Sequence, residues 1–236
     1  MAPQARLRRA NGTEVDFALQ TVGPADVVAG VPWRTFRSHA KQRHFSGWYW
    51  SATTGGQVAY ESRLELGRLL LADIDPDVVA IAAQPFLLVD TISGRDRRHV
   101  PDFFLVSKSG LATVVNVKPA DQLDDPKIAE ALGWAAATFE ARGWAHEIWT
   151  GVDPLVLSNV RFLAAYRRPW LLADTDVVVA GEVVCDGDTV AEAEARLAGH
   201  GIADPRPVVL HLVWTGAFGV DLARPLDGAS VLGRAA

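Results

Sequence analysis

Two apolar runs that meet across a three-residue loop constrain this chain more than any other feature of its sequence. His99 to Ser107 (HVPDFFLVS) and Leu111 to Lys118 (LATVVNVK) are rich in β-branched and aromatic residues. Between them Lys108-Ser109-Gly110 ends in the glycine that a three-residue hairpin loop favours. With Ser109 at the centre, facing residues have numbers that sum to 218, because 107 opposes 111. Asp102 then stands opposite Asn116, and Val100 opposite Lys118. Side chains repeat with period two along a strand and opposed residues share a face, so Asp102, Asn116 and Lys118 gather on one side, Val115 and Val117 on the other. An acid, an amide and a lysine on one face of a Val/Phe/Leu hairpin point to a site. Lysine is also scarce, with Lys41, Lys108, Lys118 and Lys127 set against nineteen arginines. A lysine inside an apolar strand of such a chain points to a role that needs a compact ammonium.

The flanking sequence supplies the rest of an α/β core. Ala59 to Ala72 carries Leu64, Leu66, Leu69, Leu70 and Leu71 on a helical stripe that Asp75-Pro76 stops. Val78 to Asp90 reads as a strand bent at Pro85. Asp125 to Gly143 has an acid and Pro126 at its start and a glycine at its end, the signals of a helix, and Ala145 to Thr150 reads as a short strand. The expected order is helix, three strands, helix, strand. Residues 1–30 lack sustained periodicity and read as an N-terminal extension, and Gly151-Val152-Asp153-Pro154 reads as the boundary between a domain over 31–150 and another over 151–236. Beyond it the spacing predicts helices around 155–166 and 190–199, then a hairpin pairing 207–214 with 219–226, together a small winged-helix-like module. Cys185 in GEVVCDGD reads as a buried strand residue.

Charge is unevenly spread. Residues 1–50 hold seven Lys+Arg against three acids, residues 51–150 nine against fourteen, and residues 151–236 seven against eleven, for a total of -5. A basic arm before an acidic centre suits a DNA enzyme whose carboxylates hold metal, since the cation inverts the local field. It suits an ordinary acidic protein equally well. Val31 to Trp50 interleaves Trp33, Phe36, Phe45, Trp48, Tyr49 and Trp50 with Arg34, Arg37, Lys41 and Arg43. That pattern reads either as a DNA-facing surface or as an amphipathic hairpin packed on the core. Arg95, Arg97 and Arg98 precede the central hairpin and are further candidates for phosphate contact. A single cysteine excludes a disulfide scaffold and a cysteine-based zinc site. The six histidines show no H-x-x-x-H spacing, although His99 falls at the rim of the expected site. No apolar run approaches the ~20 residues that cross a bilayer, and no apolar stretch follows the basic N-terminus, so a cytoplasmic, nucleoid-associated protein is expected.

The chemistry suited to this face is metal-assisted phosphodiester hydrolysis. A hard divalent cation wants oxygen ligands, which Asp102 supplies, and Lys118 stands where it orients the attacking water or stabilises charge on the phosphate. Glu61 and Glu65, four residues apart on one helix face, are candidates for a further carboxylate. Taken singly each of these residues has a plainer reading: Asp102 as a cap after Pro101, Lys118 as a side chain reaching for solvent, the two glutamates as a solvated face. Their combination in this order favours a site.

Glu65, then Pro101-Asp102, then Asn116-Val117-Lys118 within helix–three strands–helix–strand resembles the PD-(D/E)xK, restriction-endonuclease-like nucleases. More narrowly, Ser62-Arg63-Leu64-Glu65-Leu66, Asp102-Phe103-Phe104-Leu105-Val106 and Asn116-Val117-Lys118-Pro119-Ala120 are similar to the TnsA-type endonuclease subunit of heteromeric transposases. The resemblance spans roughly residues 30–150 and is thinner beyond. It implies a magnesium-dependent endonuclease, with manganese able to substitute, that nicks the 5′ strand at the ends of a transposon. Its partners would be double-stranded DNA, a DDE transposase (TnsB-like) and an ATP-dependent regulator (TnsC-like). Carried over by position, Glu65, Asp102, Asn116 and the Val117 carbonyl are the implied metal ligands. Glu65, Asp102, Asn116 and Lys118 are the implied catalytic set. The sequence departs from the family at Asn116, where a carboxylate or Gln is usual: an amide brings no charge and binds a cation more weakly. Two alternatives therefore stay open, a DNA- or partner-binding scaffold on an inactive nuclease fold and a related nuclease of defence or repair.

Overall fold

A computed structural model of the chain describes residues 2–34, 45–92 and 94–234. They form two compact units, residues 1–73 with 77–151 and residues 74–76 with 152–236. In the first unit the order is β1 (Gln4–Arg8), β2 (Glu14–Ala18), α1 (Pro24–Val28), β3 (Gly47–Ser51), β4 (Gly56–Tyr60) and α2 (Arg63–Ile74). It continues with β5 (Val78–Ala83), β6 (Leu87–Ile92), β7 (Arg95–His99), β8 (Phe103–Ser107), β9 (Ala112–Val117), α3 (Pro126–Arg142) and β10 (Ala145–Trp149).

The central sheet has the order β10-β9-β8-β5. β8 pairs antiparallel with both β5 and β9, and β9 pairs parallel with β10. The β8–β9 register is the one the loop dictates: Phe103 faces Val115, Phe104 faces Val114, Leu105 faces Thr113 and Val106 faces Ala112. α3, capped by Asp125, whose carboxylate accepts from Lys127 N–H, makes the return that a parallel neighbour requires. Its C-terminal cap Gly143 has φ 81°, a left-handed conformation that a side chain would strain. The order α2, β5-β8-β9, α3, β10 thus realises helix, three strands, helix, strand.

Between β5 and β8 the chain leaves this sheet. The run 78–90, expected as one bent strand, is two strands in two different sheets, and 99–107 is likewise divided at Pro101. The second sheet has the order β2-β1-β6-β7. Residues 1–30 are therefore no extension, because β1 pairs with β6 and Ala5, Leu7, Leu19, Val22 and Val27 are fully buried in one cluster with Phe86, Phe104, Val114, Phe139 and Trp144. Strands of five residues around a short turn, with one face of β2 in solvent, carry too little periodicity to be read alone. The rings of Phe104 and Trp144 meet edge to face at 5.0 Å in that core. Residues 59 and 60 belong to β4, and α2 begins only after Ser62.

The second unit contains α4 (Pro154–Leu163), α5 (Asp174–Val183), α6 (Val190–Gly199), α7 (Pro205–Trp214) and the two-residue strands β11 (Phe218–Gly219) and β12 (Gly233–Arg234), which pair with each other. The expected hairpin of 207–214 with 219–226 is absent: 205–214 is a helix with Pro205 in its first turn and every residue from Val208 to Trp214 buried. An apolar run buried all round carries no period to separate helix from strand. The winged-helix-like reading loses its wing with that hairpin. Cys185, expected in a buried strand, is exposed in the turn after α5, where its N–H donates to Asp188. Among the described residues no helix is long and apolar enough to cross a membrane.

One buried carboxylate fastens the end of α2. Asp73 accepts from the Tyr49 hydroxyl at 2.7 Å, the Ser51 hydroxyl at 2.5 Å, and the N–H groups of Ala52 and Thr53 at 3.1 and 2.9 Å. Removing it strands two hydroxyls and two N–H donors, so Asp73→Ala is expected to cost about 3 kcal/mol in urea unfolding, with Asp73→Asn intermediate.

Candidate active site

The polar groups converge where β8 and β9 end and α2 begins. Asp102 sits one residue before β8, held by its backbone on both sides: its N–H donates to Val115 O at 3.0 Å and its carbonyl accepts from Gln84 N–H at 2.9 Å. Its Oδ2 accepts from Val117 N–H at 2.7 Å. The carboxylate is thereby aimed at the end of β9, where Lys118 follows with its own N–H on Trp149 O. Burial pushes the Asp102 carboxyl upward, while the Lys118 ammonium, the Val117 N–H, the Asn116 amide and the Arg34 guanidinium pull it down.

Glu65 enters from the first turn of α2 in a variant of the capping box. Its N–H donates to Ser62 Oγ at 3.0 Å, its Oε1 accepts from the same hydroxyl at 3.0 Å, and its Oε2 accepts from Glu61 N–H at 2.7 Å. The carboxyl is nonetheless pushed up to about 7, chiefly by burial and further by the charge of Asp102. Glu61 turns elsewhere, into an ion pair with Arg34 at 2.9 Å. Glu61 precedes α2 and shares no helix face with Glu65, and it is Glu65 that lies in the field of Asp102.

Asn116 is fully buried, and its amide lies between two histidines. His146 Nε2 is 3.0 Å from Oδ1, and His99 Nε2 is 2.9 Å from Nδ2 and 3.1 Å from Oδ1. Burial lowers both imidazoles, His99 to about 4, so that both rings are neutral at pH 7. His146 reaches this point because parallel pairing sets it opposite Val114, two residues before Asn116 on the same face.

Arg34 is delivered by Gln84, a buried residue with φ 44°, rare for a side chain other than glycine. Gln84 accepts from Trp33 N–H at its carbonyl and from Arg34 N–H at Oε1, 3.0 Å each. Neither Gln84 nor His146 carries a signal in sequence, since their roles arise from a sheet crossing and a parallel pairing. Arg97 and Arg98 stand apart from this cluster, on β7. Arg97 pairs with Glu130 and lies over the Trp134 ring, whereas Arg98 is exposed on the opposite face of the strand. Arg37, Lys41 and Arg43 lie outside the described residues.

The donors fit a hard divalent cation. Two half-buried carboxylates that repel each other, with oxygen donors and no thiolate nearby, are the arrangement a cation stabilises. Among the described residues no group of three or more His, Cys, Asp or Glu side chains forms a metal cage, so a cation here would complete its shell with backbone and water oxygens. The family model described as TnsA-like endonuclease N terminal matches residues 75–151, about a third of the chain. That stretch runs from β5 to β10 and includes Asp102, Asn116, Val117 and Lys118 but not Glu65. The match supports a TnsA-like nuclease and implies a restriction-endonuclease-like fold for this part of the chain. No curated protein matches the sequence.

The Glu65 carboxyl sets a pH dependence. It titrates near 7 in the fold and near 4.5 when unfolded, so the folded protein holds the extra proton between those values. Stability from this group is full below about 4.5 and is lost as pH rises through about 7. Urea midpoints measured from pH 5 to pH 8 are expected to fall across that window in wild type and to stay flatter in Glu65→Gln.

Proposed function

We propose that this chain is a divalent-metal-dependent DNA endonuclease of the TnsA type, the subunit of a heteromeric transposase that nicks the 5′ strand at transposon ends. It would act with a DDE transposase (TnsB-like) and an ATP-dependent regulator (TnsC-like). The observation that carries this reading is the half-buried pair Asp102 and Glu65 beside Lys118, within and next to the stretch that matches the TnsA-like endonuclease family.

Asp102, Glu65 and the Val117 carbonyl are the groups that would hold magnesium or manganese. A cation bound there supplies Lewis acidity toward the scissile phosphate and a water of lowered pKa. The protein's part is then definable atom by atom. Val117 N–H fixes Asp102 Oδ2, leaving Oδ1 to turn toward a ligand. Glu65 gives up its proton before it ligates, so cation binding releases a proton below about pH 7. Lys118 Nζ donates to the phosphate as its negative charge develops, and Arg34 adds a second positive group on the same side. Arg97 and Arg98 on β7 are candidates for duplex contact outside the reacting centre.

Calorimetry with magnesium or manganese, with and without a short duplex, should show a heat in wild type that Asp102→Ala abolishes. Nicking of transposon-end DNA with the partner subunits present should fall at least about 10²-fold in Lys118→Ala, and below detection in Asp102→Ala, with both variants folded. Retained cleavage in either variant overturns the assignment. A wild-type chain that binds no cation under any of these conditions favours the other reading, a DNA- or partner-binding scaffold, for which the uncharged Asn116 is the supporting observation.

A further inference from the structure

We propose that His146 and His99 are positioning residues that lock the Asn116 amide with its NH2 group toward Asp102, so that Asn116 serves as a hydrogen-bond donor to the carboxylate and not as an oxygen ligand of the cation. The inference rests on the nuclease reading of the site and revises the role that the sequence suggests for Asn116.

The argument is one of donors and acceptors. Asn116 has one edge that only accepts and one that only donates, and it is fully buried, so both edges must find protein partners. The register that pairs Phe103 with Val115 sets Asp102 opposite Asn116 on the same face, and the ionised Asp102 carboxylate can only accept, so the NH2 edge must face it. Oδ1 then points away, to His146 Nε2 at 3.0 Å. For that contact to bind, His146 carries its proton on Nε2. His99 Nε2 is nearer to Nδ2, at 2.9 Å, than to Oδ1, at 3.1 Å. It is therefore the unprotonated nitrogen, accepting the second NH2 proton while its own proton sits on Nδ1. A single orientation of the amide satisfies all three neighbours. Flipping it would place oxygen against the carboxylate and NH2 against an N–H.

The same register that brings Asn116 opposite Asp102 supplies the lever. β10 places His146 from one side, and β7, which belongs to the other sheet, places His99 from the second. A carboxylate or longer amide at 116 could reach a cation. Asn116, shorter and held by two rings, braces Asp102 instead. Partners that orient a ligating carboxylate in this way typically account for 10–100-fold in metal affinity.

The test uses the full-length chain labelled with 15N at histidine. Long-range 1H–15N correlations on the metal-free protein should show opposite tautomers, His146 protonated at Nε2 and His99 at Nδ1. The reverse assignment, or the same tautomer in both, overturns the proposal, because the two rings would then not hold opposite edges of the amide in the stated orientation. Manganese calorimetry gives a second readout. His146→Ala should bind about 10-fold more weakly. His146→Gln, which keeps an N–H donor at the distance of Nε2, should recover to within about 3-fold of wild type. Unchanged affinity in His146→Ala, or no rescue by Gln in a folded variant, overturns it as well. Failure of wild type itself to bind cation counts against the nuclease reading and leaves the tautomers to decide the amide's orientation.

Discussion

Asp102 is bonded through its N–H, its carbonyl and its side chain to three different parts of the sheet: Val115, Gln84 and Val117. Those bonds tie the exit of β5, the entry of β8 and the end of β9 to one residue. The chain must leave the central sheet between β5 and β8 to build β6 and β7, and Asp102 is where it returns. Because its backbone is spoken for on both sides, its carboxylate has little freedom. The site is thus pre-organised by backbone hydrogen bonds before any ligand arrives. This matters energetically, since a buried carboxylate without such donors would protonate.

Two carboxylates with contrasting support follow from that constraint. Asp102 has Lys118, Arg34, a backbone N–H and an amide to oppose the cost of burial. Glu65 has a hydroxyl and a backbone N–H, and it lies in the field of Asp102. Burial pushes both upward, Asp102 against the stronger opposition and Glu65 to about 7. A cation placed between them would remove both penalties together. The capping geometry of Glu65 also has a plain structural use, because it closes the first turn of α2. Helix start and site are the same few atoms.

Much of the central hairpin was legible in the sequence. A three-residue loop ending in Gly110 allows one register, and that register by itself puts Asp102 opposite Asn116 and sends Lys118 to the same face. α3 was equally legible, since Asp125, Pro126 and Gly143 act through local backbone geometry. The failures share a cause. Residues 4–30 enter the core by pairing with β6, some eighty residues away, which no local pattern encodes. Every residue from Val208 to Trp214 is buried, so this apolar run of Val and Leu looks like strand while its backbone is helical.

Sequence alone determined which chemistry-bearing residues share a face, because period two and a short loop leave no other register. It also determined where α3 begins and ends, through a cap and a left-handed glycine. Only the tertiary structure decided what those residues do with their hydrogen-bonding groups. His146 meets Asn116 through a parallel pairing reached by way of α3, and His99 arrives from another sheet. Gln84 adopts positive φ to carry Arg34 toward Asp102, although Pro85 follows it. Such contacts join residues distant in sequence, and each is set by the cost of leaving a buried polar group unpaired.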